Sequence, residues 1–208
     1  MRIGIIGSGH IGATAARLFL EAGHEVAIAN SRGPESLAGL VDELGERARA
    51  ATVEQAESFG ELVLVAIPFG RYSELPAEPL RDTIVVDAMN YYPQRDGSFP
   101  DLDARRTTST ELLGAHLPGA RLVKAFNTMY WKTLAERGSR EGEGDRLVLF
   151  IAGDDPDAKQ TVARLIEEIG FAPIDTGGLA EGGRRQQPGS PIYNEPLTAR
   201  EAEQALRR

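Results

Sequence analysis

The stretch Gly7-Ser-Gly-His-Ile-Gly12, set directly after Arg2-Ile-Gly-Ile-Ile6, constrains this chain more than any other feature. Arg2 to Ile6 is short, apolar and β-branched, the makeup of a buried strand. From Ile11 to Ala22 the apolar residues recur at 11, 15, 18, 19 and 22, which is helical spacing, and Gly23 fits the helix end. The three glycines therefore fill a strand-to-helix junction, and each has a separate task there. Gly7 allows the tight turn, Gly9 lets backbone approach a pyrophosphate, and Gly12 lets the helix pack closely on the sheet. The free N–H groups and partial positive charge of the helix start complete an anion site. Alone, G-x-G-x-x-G is a weak signal. The flanking strand and helix, and a second strand beginning at Glu25, make it specific for a dinucleotide. Ser8, His10 and Ile11 are the remaining residues of the loop, and His10 is expected to flank it.

The alternation continues along the chain. Strands are predicted at Glu25–Ala29, near Ala50, and at Leu62–Ile67, Ile84–Ala88, Leu122–Phe126, Leu147–Ala152 and Phe171–Asp175. Helices are predicted at Pro34–Leu44, Pro156–Ile169 and Thr198–Leu206, the last with Thr198 as N-cap. Continuous apolar strands, each followed by a helix, describe an α/β doubly wound parallel sheet covered on both faces. Residues 1–180 are expected to form that domain and residues 181–208 a short C-terminal extension. Arg137 to Arg146 reads as an exposed polar loop and Gly177 to Gly189 as a second glycine-rich stretch.

Composition removes whole classes of chemistry. With no cysteine there is no disulfide, thiolate nucleophile, iron–sulfur cluster or cysteine-ligated zinc. The 31 acidic residues outnumber the 23 basic ones, giving a net charge of −8, so nucleic acid is not an expected partner. No apolar run approaches the ~20 residues of a membrane helix, and the N-terminus does not read as a signal peptide. The expectation is a soluble cytoplasmic protein.

The end of the second predicted strand bears on cofactor choice. NAD-specific proteins place an acidic residue there to bind the ribose hydroxyls. This chain has Ala29-Asn30-Ser31-Arg32-Gly33 instead. An arginine can grip a 2′-phosphate with two parallel hydrogen bonds, Ser31 adds a donor, and the next helix start, with Ser36, adds more. The reading favours NADP(H) over NAD(H). The bland alternative is a surface arginine in a polar turn.

Several longer segments carry a resemblance: IGIIGSGHIG, ANSRGPESL, VLVAIP, VVDAMN, VKAFNT, IAGDDPDAKQTVARLIEEIGF and IDTGGL, which span nearly the whole chain in order. By these the chain resembles the F420-dependent NADP oxidoreductase family, a Rossmann group. The resemblance implies NADP(H) binding and hydride exchange with a second cofactor. It implies a phosphate loop at Gly7–Gly12 and a 2′-phosphate site at Ser31 and Arg32. Ala66, Ile67 and Pro68 would run along the cofactor, with Asn90, Ala125 and Asn127 by the nicotinamide. The first loop differs from the GGTGNLG type of the archaeal enzymes, and Arg184–Asn194 departs from their helical pattern.

About thirty residues follow the last predicted strand, too few for a helical substrate domain. The second substrate is then expected in an open crevice over the strand ends, where a flat coenzyme stacks on the nicotinamide. The crevice candidates are Phe69, Met89, Asn90, Asn127 and Met129, with Tyr91, Tyr92, Tyr130 and Trp131 as rim or stacking residues. No catalytic side chain is assigned. Coenzyme F420 leads as co-substrate, with a flavin beside it. The alternatives are a reductase of a small carbonyl or imine compound, with Tyr91 or Lys124 as proton donor, and a non-catalytic NADP(H)-binding redox sensor. Lys124 is more simply a strand-end ion pair. Asp154, Asp155 and Asp157 are more simply a helix N-terminus than a metal site, and His24 and His116 have no ligand or triad spacing. Arg184–Asn194 is expected to line the second-substrate site or a subunit interface. A homodimer is one assembly that would cover the short tail.

Overall fold

The computed structural model describes residues 1–137 and 146–207. Most of the expected Arg137–Arg146 loop lies outside the described residues. Six strands form one parallel sheet: β1 (Arg2–Ile6), β2 (Glu25–Ala29), β3 (Ala48–Ala51), β4 (Leu62–Val65), β5 (Ile84–Asp87) and β6 (Arg121–Lys124). Their order is β3-β2-β1-β4-β5-β6, so the direction of winding reverses between β1 and β4. Ligands bind at such a reversal, over the carboxyl ends of the strands.

The strands are apolar along most of their length because both faces are covered. Side chains alternate in direction along a strand, and Ile3, Ile5, Leu62 and Leu64 enter one core while Ile6, Val63 and Val65 enter the other. Burying each such aliphatic side chain contributes roughly 1.5–3 kcal/mol. On the first face lie α1 (His10–Glu21), α2 (Ala38–Leu44) and, further along, the long amphipathic helix Pro156–Glu168. The expected single helix at Pro34–Leu44 divides into a 3₁₀ turn, Pro34–Leu37, and α2. The Ser36 hydroxyl donates to the Gly33 carbonyl at 2.7 Å, a local bond that competes with helix geometry.

The sequence reading did not place α3 (Val53–Phe59) or the four-residue helices α4 (Pro93–Asp96) and α5 (Pro100–Asp103). It also did not place α6 (Ser109–His116) or α7 (Trp131–Arg137). Beyond β6 the parallel pattern ends. β7 (Val148–Ile151) and β8 (Ala172–Asp175) pair parallel to each other as a separate two-stranded sheet, flanked by α8 (Pro156–Glu168). Among the described residues their only backbone bridge to β6 is antiparallel, through Lys124 and Ala152, with N–H···O distances of 2.8 and 3.0 Å. The tail then forms α9 (Glu181–Arg185) and α10 (Ala199–Leu206), the second entered through Thr198 as read from the sequence.

Candidate functional site: a two-armed cleft over the strand ends

The turn after β1 is built by close approach. Gly7 adopts φ +113°, and a Cβ there would lie 2.2 Å from the Ala66 carbonyl oxygen. A Cβ on Gly12 would lie 1.9 Å from the Gly7 carbonyl oxygen, so α1 packs on this loop only through glycine. Gly9 is different: nothing lies within 4 Å of where its Cβ would be. It is the N-cap of α1, whose first turn carries no acidic side chain. Open space, free helix N–H groups and no competing carboxylate fit a bound phosphate.

From Gly9 the cleft runs in two directions. One arm, about 350 Å³, is lined by Ser8, Ser31, Arg32, Arg71, Glu74 and Leu75 among others. Asn30 organises its wall. Its Nδ2 donates to Ser8 Oγ (3.1 Å) and Ser36 Oγ (3.0 Å), and its Oδ1 accepts from the Arg32 N–H (2.8 Å). Ser36 is thereby turned toward Asn30 and Gly33 and is not a lining residue. Arg71 Nη1 donates to Ser31 Oγ at 3.3 Å while its Nε bonds both carboxylate oxygens of Glu74. That pairing holds the Glu74 carboxyl below its usual range and raises the Arg71 guanidinium. Two arginines against one neutralised carboxylate leave the arm basic. Sequence reading missed Arg71 and Glu74, because they sit in a 3₁₀ turn (Phe69–Glu74) that no helical pattern announces.

The other arm, about 450 Å³, shares Gly9, Ala66, Ile67 and Pro68 with the first and extends past His10 and Ile11 to Met89, Asn90, Tyr92, Asn127 and Tyr193. Asn90 and Asn127 follow the ends of adjacent strands and bond reciprocally. Asn90 Nδ2 donates to the Asn127 carbonyl (2.8 Å), and Asn127 Nδ2 donates to Asn90 Oδ1 (3.1 Å) and to the Gln186 carbonyl (2.8 Å). Between them Phe126 is fully buried at φ +65°, a left-handed conformation that costs a non-glycine residue about 1–2 kcal/mol. Such strain gathers where a site dictates backbone direction. His10 stacks on Trp131 with ring centroids 4.3 Å apart. Ala125 is wholly buried beneath the cleft, and Gly12 is buried behind the loop.

The tail closes this arm. The Asn194 N–H donates to the Thr128 carbonyl (2.8 Å), and Tyr193 and Asn194 line the chamber. The Tyr193 hydroxyl is hydrogen-bonded to that of Tyr92. Burial first, and then Tyr92, push the Tyr193 phenol upward. Arg95 lies 4.9 Å from the Tyr92 ring centroid and pairs with Asp96. Burial of Asp96 acts upward, but Arg95 and the Tyr92 and Gly70 amides outweigh it and hold the carboxyl low.

Other residues singled out from sequence lie elsewhere. Phe69 is a core residue stacked on Tyr72 (4.9 Å), not a cleft wall. The Tyr91 hydroxyl donates to Asp103 (2.6 Å) away from the chamber, and Lys124 is sealed in an ion pair, so neither stands where a proton donor is needed. Asp155 caps α8 by accepting from the Asp157 and Ala158 N–H groups and pairs with Arg121, which holds it far below the carboxylate range. Among the described residues no cluster of metal-ligating side chains exists. His24 sits between the N-terminal amine and Glu168, and His116 against the Leu75 carbonyl.

A family model described as "NADP oxidoreductase coenzyme F420-dependent" matches residues 2–91. The crystal structure of a hypothetical protein from Sinorhizobium meliloti is 36 % identical, with a TM-score of 0.83 over 95 % of each chain. The chain belongs to the F420-dependent NADP oxidoreductase family. An F420-dependent NADP-reductase candidate from an Arthrobacter species superimposes with a TM-score of 0.76 at 27 % identity, covering 95 % of this family member and 99 % of that chain. Metalloreductase STEAP3 of Rattus norvegicus is 34 % identical over 181 residues, 86 % of this chain. The chain spans about a third of that relative's length, 34 %. Among the described residues of this family member, no helix is long and apolar enough to cross a membrane.

Proposed function

We propose that this chain is an NADP(H)-dependent oxidoreductase that exchanges a hydride with a deazaflavin or flavin coenzyme, F420 first among them. The observation that carries the reading is the continuity of the two arms through Gly9, Ala66, Ile67 and Pro68. One long ligand can lie with a phosphate over Gly9, its adenosine end beside Ser31 and Arg32, and its reactive end among Met89, Asn90 and Asn127, above the buried Ala125. NADPH, when bound, supplies the hydride.

The residues then do the following. The α1 amides hold the pyrophosphate. Ser31, Arg32 and Arg71 grip the 2′-phosphate, and Asn30 keeps the turn in place through Ser8 and Ser36. Ile67 and Pro68 bound the dinucleotide along its length. Met89, Met129 and Trp131 offer apolar walls to a second flat ring, and Tyr193 and Asn194 cover it. Holding two rings close and aligned removes much of the entropic barrier, so little acid–base chemistry is needed for the hydride itself.

The test is to mix protein, NADPH and oxidised F420 and follow the visible absorbance of the deazaflavin, with FMN and FAD in parallel. Loss of the oxidised band is the expected result. Tight NADPH binding without reduction of any ring coenzyme would overturn the assignment and turn attention to carbonyl and imine acceptors.

A further inference from the structure

Two phenols in the inner arm have no chemical task in the reading above, where Tyr193 only covers the second ring. Tyr92 precedes α4 and Tyr193 belongs to the tail, yet their hydroxyls bond to each other and both side chains line the chamber. Two hydroxyls carry two hydrogens, and the bond between them uses one. The other has no acceptor within the pair. Asn90 Nδ2, which can only donate, approaches the Tyr193 oxygen at 3.5 Å. Either hydroxyl can donate in the bond between them; when Tyr92 donates, both acceptor positions of the Tyr193 oxygen are taken, and its own hydrogen is the one left for the chamber. Burial and Tyr92 keep that hydrogen on the phenol, outweighing Arg95 and Asn194, which act the other way.

We propose that Tyr193 is the proton donor of this site and that Tyr92 reloads it. The proposal rests on the hydride-transfer reading. In the reducing direction the accepting ring atom, a carbon in a deazaflavin and a nitrogen in a flavin, gains a hydrogen and two electrons from the dihydronicotinamide. The negative charge this creates settles on a heteroatom conjugated to that atom. The Tyr193 O–H bond breaks as the heteroatom–H bond forms, the Tyr92 hydrogen passes to Tyr193 along their hydrogen bond, and Tyr92 recovers a proton from water. Oxidation runs the same path backwards. The acceptor class follows: a flat molecule whose hydride-accepting ring atom is conjugated to a ring nitrogen or carbonyl.

Tyr193→Phe and Tyr92→Phe test this in the full chain. Three quantities are read: the single-turnover rate with NADPH and oxidised F420 or FMN in light and heavy water, the dissociation constant of the oxidised acceptor by equilibrium dialysis, and that of NADPH by calorimetry. Tyr193→Phe should slow turnover about a hundredfold, the lower range for a general acid. It should also weaken the oxidised acceptor several-fold, abolish the solvent isotope effect, and leave NADPH binding unchanged. Tyr92→Phe should slow turnover about tenfold and keep acceptor affinity. Tyr193→Phe with wild-type rate and isotope effect overturns the proposal, as does an equal loss of NADPH affinity, which marks a structural role. Wild-type protein that neither binds nor reduces either ring defeats the hydride-transfer reading itself, and the proton donor with it.

Discussion

Lys124 Nζ lies 3.0 Å from Asp87 Oδ2, and both side chains are sealed from solvent. The two residues are register partners on β6 and β5. Asp87 Oδ1 accepts the Met89 N–H at 2.9 Å, Lys124 donates to the Met89 carbonyl, and Thr110 donates to Asp87 at 2.6 Å. The pair thus grips the backbone of Met89 from both sides, one residue before Asn90 enters the cleft.

Removing one member of this pair leaves a buried charge without compensation. Lys124→Met should destabilise the fold by about 3–5 kcal/mol, and Lys124→Met combined with Asp87→Leu should recover most of that loss. Urea unfolding of the single and double variants gives the comparison. A double variant as unstable as the single one would mean that backbone packing around Met89, not charge, sets the cost.

Gly9 and Gly12 should respond oppositely to a side chain. Gly9→Val projects into open cleft, so the fold should survive while NADPH and NADH both bind poorly. Gly12→Val meets the Gly7 carbonyl and should destabilise the protein, by roughly 1–3 kcal/mol or more as for an overpacked core. Thermal melting with and without cofactor separates the two. Normal cofactor binding by Gly9→Val would remove this loop from the site.

Arg32 and Arg71 should differ in cofactor choice. Arg32→Ala should cost about tenfold in NADPH affinity and leave NADH nearly unchanged, as expected for one screened charge-assisted contact. Arg71→Ala should cost more, because it also frees the Glu74 carboxylate beside Ser31. Paired dissociation constants at fixed salt decide it, and wild-type protein with equal affinity for NADH and NADPH would end the NADP assignment.

Glu57 on α3 is 2 % exposed, with no hydrogen-bond partner for either carboxylate oxygen among the described residues. Burial, helped by Glu54, pushes its carboxyl up to about 7. The unfolded chain loses this proton near 4.5 and the folded one near 7, so the native state holds more protons between those values. Stability should therefore fall as pH rises through that window and level off above it, by on the order of 3 kcal/mol. Glu57→Gln should flatten the profile when urea midpoints are compared at about pH 5 and about pH 8. An unchanged slope would assign it to other groups.

Much of this molecule is legible one segment at a time. The strands announce themselves because burial on two faces forces continuous apolar runs, and the Gly7–Gly12 loop because its backbone tolerates no Cβ at two of its positions. Helices α3 and α6 were overlooked although Thr52/Gln55 and Thr108/Glu111 form capping boxes at their starts. Their short apolar patterns hid a signal that was present. The separation of β7 and β8 had no such signal, since strand direction is decided by the path of the connection, not by local composition. The inner arm was legible at Met89, Asn90 and Asn127, each beside a strand end. Tyr193 falls in the Arg184–Asn194 stretch expected at the second-substrate site or a subunit interface, whereas Arg71 reaches the cleft by tertiary folding alone, so its neighbours in sequence say nothing of it.

Trp131 is the chain's single tryptophan, and it rests on the imidazole of His10 at the lip of the phosphate loop. Its emission therefore carries no background from other indoles. A ligand that parts the two rings, or draws the loop away from α7, must alter that emission. The protein holds its own optical probe at the junction of the two arms, and stopped-flow fluorescence can time cofactor entry without a label.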